Sequence, residues 1–180
     1  MPELRRADLA YMASYVEALH EGYSRDNLRS ESPGEIAQIE REPEWFVRLV
    51  NTPPHHVVLP DGTLAPRVPA TEFWWVEGAT FLGSVGIRHE LSELLETWGG
   101  HIGYAVRPSA RRQGHASAML AGALDYVRAN LPLERVMLTV DLRNEGSIRV
   151  IEKNGGVLRD EVDNPWLKGV RGRRYWITLR

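Results

Sequence analysis

Arg111-Arg112-Gln113-Gly114-His115-Ala116 lies between a short apolar run and a long amphipathic one. The run before it, His101-Ile102-Gly103-Tyr104-Ala105-Val106, reads as a strand stopped at Pro108, which cannot donate to a ladder. After it, Ala116, Met119, Leu120, Ala123, Leu124 and Val127 recur at the spacing of one buried helical face. A strand that turns into a helix leaves the helix's first N–H groups unpaired at its positive end, which favours an anion. Gly114 lets the main chain approach a phosphate closely, Ala116 keeps the next approach nearly as open, and Arg111 and Arg112 add fixed positive charge. A pyrophosphate would fit the turn of Arg111, Arg112, Gln113, Gly114, His115 and Ala116. The plainer alternative is a solvated basic helix start.

Arg135-Val136-Met137-Leu138-Thr139-Val140 is nearly continuous in apolar residues, as expected of a strand covered on both faces in a parallel pairing, so strand, helix and strand form a βαβ unit. At this point the chain resembles the GNAT superfamily of acyl-CoA-dependent N-acetyltransferases. The coenzyme loop of that family matches Arg111-x-x-Gly114-x-Ala116, with Val106 five positions earlier. A second block agrees: Asn144-Glu145-Gly146-Ser147 followed by Ile151-Glu152-Lys153-Asn154-Gly155-Gly156. Ile87-Arg88-His89-Glu90-Leu91 and Gly100-His101-Ile102-Gly103-Tyr104 resemble a little-characterised bacterial group of predicted acetyltransferases. The match runs from about Phe81 to Val157.

The resemblance implies a mixed α/β fold: one domain over residues 1–180, helices on both faces of a central sheet, and two parallel strands splayed to admit acetyl-CoA. It implies that pantetheine pairs with the main chain at Tyr104, Ala105 and Val106, that the pyrophosphate sits on residues 111–117, and that Asn144 hydrogen-bonds the pantetheine arm. Asn144 is also an ordinary helix cap, and the two roles are compatible. The implied chemistry is direct attack of an amine on the thioester, without a covalent enzyme intermediate. Acceptors would be small molecules or peptides, and the resemblance is compatible with a homodimer.

The chain departs from the family at two places. Ile151 stands where many members carry a tyrosine acid, and Thr139 where some keep a glutamate base. The remaining candidates are Glu90 and His89, Asp141, and Tyr104 as an acid. Ile151 and Thr139 also keep open the alternative of a non-catalytic acyl-CoA-binding sensor or interaction module, which retains the coenzyme pocket without the usual acid and base.

Composition frames this reading. At 180 residues, 43% hydrophobic and 26% charged, the chain has the size and make-up of one globular domain. With no cysteine, thiolate metal sites and disulfides are excluded. A net charge of −2 argues against a general nucleic-acid or anionic-membrane binder. No apolar leader or membrane span is legible, which places the protein in the cytoplasm as an expectation. Six histidines invite a metal site, but His89-Glu90 lacks a second histidine at helical spacing and the side chains of His55 and His56 diverge on an extended chain, so none is expected.

Elsewhere the pattern predicts an edge strand at Glu3–Arg6, a helix capped by Asp8, and one helix from Gly34 to Val50 ended by Pro53-Pro54. It also predicts a hairpin of Thr71–Val76 with Phe81–Arg88 and late strands at Val157–Val162 and Tyr175–Leu179. The acidic string of Glu31, Glu35, Glu40, Glu42 and Glu44 reads as a solvated face, with attraction of a cationic acceptor as the alternative.

Overall fold

A computed structural model describes residues 1–25, 27 and 29–179. In chain order the elements are β1 (Glu3–Arg5), α1 (Met12–His20), α2 (Pro33–Arg41), α3 (Pro43–Asn51), β2 (His56–Val58), β3 (Leu64–Pro66), β4 (Ala70–Glu77), β5 (Thr80–Arg88), α4 (Glu93–Thr97), β6 (Ile102–Val106), α5 (His115–Asn130), β7 (Arg135–Asp141), α6 (Glu145–Lys153), β8 (Val157–Asp163) and β9 (Arg171–Thr178). The mixed α/β class read from the sequence holds. The described residues group into two compact units of alternating segments: Met1–Pro53, Glu72–Gly86 and Tyr104–Gly122 in the first, and Pro54–Thr71, Ile87–Gly103 and the chain from Ala123 in the second.

In the first unit, Tyr15, Tyr23, Phe46, Trp74 and Phe81 form an aromatic core, with Tyr15 and Trp74 stacked at 4.7 Å and 2°. Asp8 accepts from the Ala10 N–H and so caps a 3-10 turn that leads into α1. A capping box starts α2: Glu35 N–H donates to Ser32 Oγ at 3.3 Å and Ser32 N–H to Glu35 Oε2 at 2.7 Å. The single helix expected over 34–50 is two helices. Pro43 cannot donate its amide, and its ring disfavours a helical Glu42, whose φ and ψ are −131° and 56°.

The second unit holds a three-stranded antiparallel sheet in the order β7-β9-β8, in which Leu138 faces Tyr175 and Tyr175 faces Leu158. Thus β7 pairs antiparallel with β9, whereas the sequence suggested a parallel partner. The strand β6 belongs to another sheet, ordered β1-β4-β5-β6. Near the start of β6 only one isolated bridge reaches β7, Gly100 to Leu138, and it is antiparallel. Two features stop a ladder there. Gly100 has a φ of 70°, and a Cβ on it would overlap the Met137 carbonyl oxygen. His101 N–H donates to Met137 O at 2.7 Å, while Met137 N–H donates to His101 Nδ1 at 2.9 Å, so an imidazole takes the amide that a ladder would use.

That role requires a neutral ring. Burial, reinforced by the Arg88 cation, lowers the His101 pKa to about 4. The unfolded chain, with its ordinary histidine, takes up the proton first. Stability is therefore complete above about pH 6.5 and falls between there and pH 4, by up to about 3 kcal/mol. Urea denaturation across this range should show the decline in the wild type, and His101→Gln, which keeps an acceptor but cannot titrate, should flatten it.

Candidate functional site: an amide cradle and an open strand edge

The loop foreseen as an anion site lies wholly in the first unit. Beyond β6 the chain makes a 3-10 turn at Pro108–Ala110, with Ala110 N–H bonded to Arg107 O at 2.9 Å and Arg111 N–H to Pro108 O at 3.3 Å. Arg112 and Gly114 are both left-handed, with φ of 62° and 87°, and they bend the main chain sharply on either side of Gln113 before α5 begins. The Ala118 N–H donates to Gly114 O at 3.1 Å; ahead of it, the amides of His115 and Ala116 have no acceptor within the helix. An added Cβ at Gly114 meets nothing within 4 Å. Arg111, Arg112, Gln113 and Gly114 are exposed. Forward-pointing amides, a left-handed glycine in open space and two exposed guanidiniums fit a diphosphate.

Local side-chain bonds hold the loop. Gln113 Nε2 donates to Ser109 O at 3.1 Å, and Trp75 Nε1 donates to His115 Nδ1 at 3.3 Å. The anchor beneath it is Arg107. Its guanidinium donates to Glu21 Oε1 (2.8 Å from Nε), Ser14 Oγ (2.9 Å), Glu17 Oε2 (3.3 Å) and Phe81 O (3.4 Å). Glu21 Oε2 in turn accepts from the Ser109 N–H at 3.1 Å. The Arg107 hydrogen bonds, ahead of the Ser109 contacts, hold the Glu21 carboxyl down at about 2, against desolvation.

The strand β6 is the outer strand of its sheet. Arg107 N–H donates to Leu82 O at 2.9 Å, so by alternation the main-chain groups of Tyr104 and Val106 point to the opposite, open edge. Those are two of the three residues expected to pair with pantetheine; Ala105 faces β5. Gly83 is required beside them, because a Cβ there would overlap the Ala105 carbonyl oxygen. Both open carbonyls are met by side chains: Asn27 Nδ2 donates to Tyr104 O at 2.8 Å and Arg111 Nε to Val106 O at 3.3 Å. A ligand pairing along this edge has to displace them. Asn27 and Arg107 carry no local signal of these roles, since Asn27 meets Tyr104 across 77 residues and Arg107 meets Glu21 across 86.

The other candidates lie in the second unit. His89 Nε2 is hydrogen-bonded with Thr71 Oγ1 at 2.9 Å, and its amide donates to Pro69 O at 2.8 Å. Glu90 is exposed and, with Arg67 and Glu93, lines an open groove of about 450 Å³. Asp141 is committed to a turn: Oδ1 accepts from Arg143 N–H and Nε at 2.8 and 3.0 Å, and Oδ2 accepts from its terminal nitrogen at 2.7 Å. The Arg143 hydrogen bonds lower the Asp141 pKa, against desolvation. Asn144 Oδ1 caps α6 by accepting from Ser147 N–H at 3.0 Å, and its Nδ2 end is chemically able to donate to a ligand. Ile151 is 2% exposed, a core residue with nothing to donate. Among the described residues no cluster of three metal-ligating side chains occurs. Nor is any helix there long and apolar enough to cross a membrane.

The family model for the acetyltransferase (GNAT) domain matches residues 27–157. No curated protein sequence matches. Among solved structures, a RimL ribosomal L7/L12 alpha-N-protein acetyltransferase in complex with coenzyme A superposes with a TM-score of 0.62 at 15% identity, over 98% of this chain and 93% of that one. A chimera of the Vibrio cholerae spermidine N-acetyltransferase SpeG and hSSAT gives 0.64 at 15% identity, over 99% and 95%. An N-acetyltransferase from Staphylococcus aureus Mu50 gives 0.58 at 18% identity, over 100% and 99%. These likenesses bear on the fold.

Proposed function

Because the chain belongs to the GNAT acetyltransferase family, we propose that it transfers the acetyl group of acetyl-CoA directly to an amine of a small molecule or peptide. We read residues 1–180 as one catalytic domain, since each compact unit is assembled from three separated segments and neither is a contiguous piece of chain. The observation that carries the function is the cradle at residues 111–117, with its two left-handed residues and the open edge of β6 just before it.

Bound acetyl-CoA supplies an acyl thioester. The amides of Arg112 to Ser117 hold its diphosphate, assisted by Arg111 and Arg112, and the Tyr104 and Val106 main chain receives the pantetheine once Asn27 and Arg111 yield their carbonyls. The Val106 N–H, on the open edge, is the proposed donor to the developing oxyanion; one preorganised donor of this kind contributes roughly 3 to 4 kcal/mol. Asn144 donates from Nδ2 to the pantetheine arm.

An acceptor such as an alkylamine, with a pKa of about 10.4, arrives protonated and needs a base. Glu90 is the proposed base and His89 its neighbour in a relay. Two observations support this choice over Asp141: Glu90 is exposed on an open groove, whereas both Asp141 oxygens are bound by Arg143. Tyr104 remains the proposed acid for the departing thiolate.

The test is thiol release from acetyl-CoA across a panel of amines, amino acids, polyamines and peptides. Turnover is expected with at least one amine class. Glu90→Gln should lower kcat about 100-fold with the acetyl-CoA KM unchanged, and an unaltered kcat would remove Glu90 from the mechanism. Tight acetyl-CoA binding without turnover on any acceptor would favour the sensor reading, for which Ile151 in place of an acid is the supporting observation.

A further inference from the structure

Trp75, a residue of β4 that is 7% exposed, places its indole N–H on Nδ1 of His115 at 3.3 Å, and both residues belong to the first unit. A buried indole N–H wants an acceptor, and an apolar residue at position 115 would leave this one unmade. The bond also decides where the imidazole carries its proton. Two N–H groups cannot face each other, so Nδ1 accepts through its lone pair and the neutral ring holds its proton on Nε2.

His115 opens α5 directly after the left-handed Gly114, and its own amide is one of those without an acceptor in the helix. The residue is half-buried. Its Nε2 has no hydrogen bond among the described residues and is not one of the buried atoms that lack a partner, so it reaches solvent. Neighbouring donors are turned inward: Gln113 Nε2 is bonded to Ser109 O at 3.1 Å and Arg111 Nε to Val106 O at 3.3 Å. His115 therefore carries a neutral donor of fixed tautomer, engaged by nothing in the described chain, one residue past the glycine of the turn.

We propose that Trp75 is a positioning residue that holds His115 as the Nε2–H tautomer, and that this ring donates a hydrogen bond to a diphosphate oxygen of the coenzyme. A ring free to exchange tautomers would turn a lone pair toward the phosphate in part of the population, and only the remaining fraction could bind. The indole removes that loss. This rests on the coenzyme reading of residues 111–117, though not on acetyl transfer.

The probes are acetyl-CoA and dephospho-acetyl-CoA, which lacks only the 3′-phosphate. In mildly alkaline buffer, nitrogen NMR of the full chain should show His115 with a bare Nδ1 and a protonated Nε2. Trp75→Phe should average that signature over both tautomers and weaken acetyl-CoA binding about twofold. His115→Asn keeps an oxygen to accept from Trp75 but has no donor in the place of Nε2. Its melting temperature should stay level while calorimetry shows acetyl-CoA binding about tenfold weaker, as for a lost hydrogen bond to a charged group. His115→Gln, with an amide N–H at about the reach of Nε2, should recover part of the loss. Dephospho-acetyl-CoA should suffer the same penalty in His115→Asn. A penalty that disappears with this analogue, wild-type affinity in His115→Asn, or a wild-type ring protonated on Nδ1 each overturns the proposal. Wild-type protein that binds no acetyl-CoA overturns the coenzyme reading along with it, whereas the expected affinity losses without acetylation of any amine uphold the proposal and overturn the transfer alone.

Discussion

Gly114→Trp is expected to bind acetyl-CoA at least about 100-fold more weakly than the wild type, the equivalent of about 3 kcal/mol or two lost charge-assisted hydrogen bonds. At a φ of 87° an L-residue pays a backbone cost of about 1–2 kcal/mol. Because a Cβ there meets nothing within 4 Å, no core packing is lost with it. The melting temperature should therefore fall by only a few degrees, roughly 2–4 °C per kcal/mol for a chain of this size. The indole meanwhile stands in the approach to the amides of His115 and Ala116. Gly114→Ala separates the two effects: it carries the same backbone cost without the bulk, so most of its coenzyme affinity should survive. Isothermal calorimetry with acetyl-CoA, beside thermal melts of both variants, provides the check. Normal binding by Gly114→Trp would remove the phosphate assignment.

Arg107→Ala should produce the largest loss of stability among single changes near the loop, about 3 kcal/mol by urea denaturation. The guanidinium side chain is 11% exposed and joins α1, β5 and the turn that precedes the cradle through Glu21, Glu17, Ser14 and the Phe81 carbonyl. Deleting one partner of a largely buried pair strands the other, which is why the cost exceeds that of a surface ion pair. Glu21 would also lose the partner that most lowers its pKa. The wild type should therefore lose stability as the pH falls from about 5 toward 2, when the unfolded chain protonates Glu21 before the folded one does, and the variant should lack that part of the decline. Acetyl-CoA affinity should drop as well, because Glu21 Oε2 fixes Ser109 and Gln113 in turn holds the Ser109 carbonyl. An Arg107→Ala protein as stable as the wild type would show that the loop is held by its local bonds alone.

The shape of this turn was legible in the sequence because its physics is local: a strand that ends just before Pro108, a glycine that the backbone needs at one φ, and a helix with a single apolar face. The buried face of α5, with Met119, Leu120, Ala123, Leu124 and Val127 all 2% exposed or less, follows directly from its spacing. The hairpin of β4 and β5 was legible in the same way, from alternation about a glycine turn. The break between α2 and α3 was readable in principle from Pro43 alone, but apolar residues on both sides of it keep helical spacing and mask the stop.

What lay out of reach depends on contacts distant in sequence. The separation of β6 and β7 into different sheets turns on an imidazole that accepts an amide 36 residues away. The Tyr104 carbonyl is met by an asparagine from an irregular segment with no periodicity to reveal it. The proposed base and its neighbour are a similar case. Nothing in His89-Glu90 as a dipeptide tells that the histidine is engaged by Thr71 while the glutamate faces an open groove.

The most direct measurement is a crystal structure of the protein with acetyl-CoA. The diphosphate is expected on the amides of residues 112–117 and the pantetheine along the open edge of β6, with the Asn27 amide released from the Tyr104 carbonyl. A complex in which the coenzyme binds elsewhere, or in which Asn27 and Arg111 keep their carbonyls and the cradle stays empty, would contradict it.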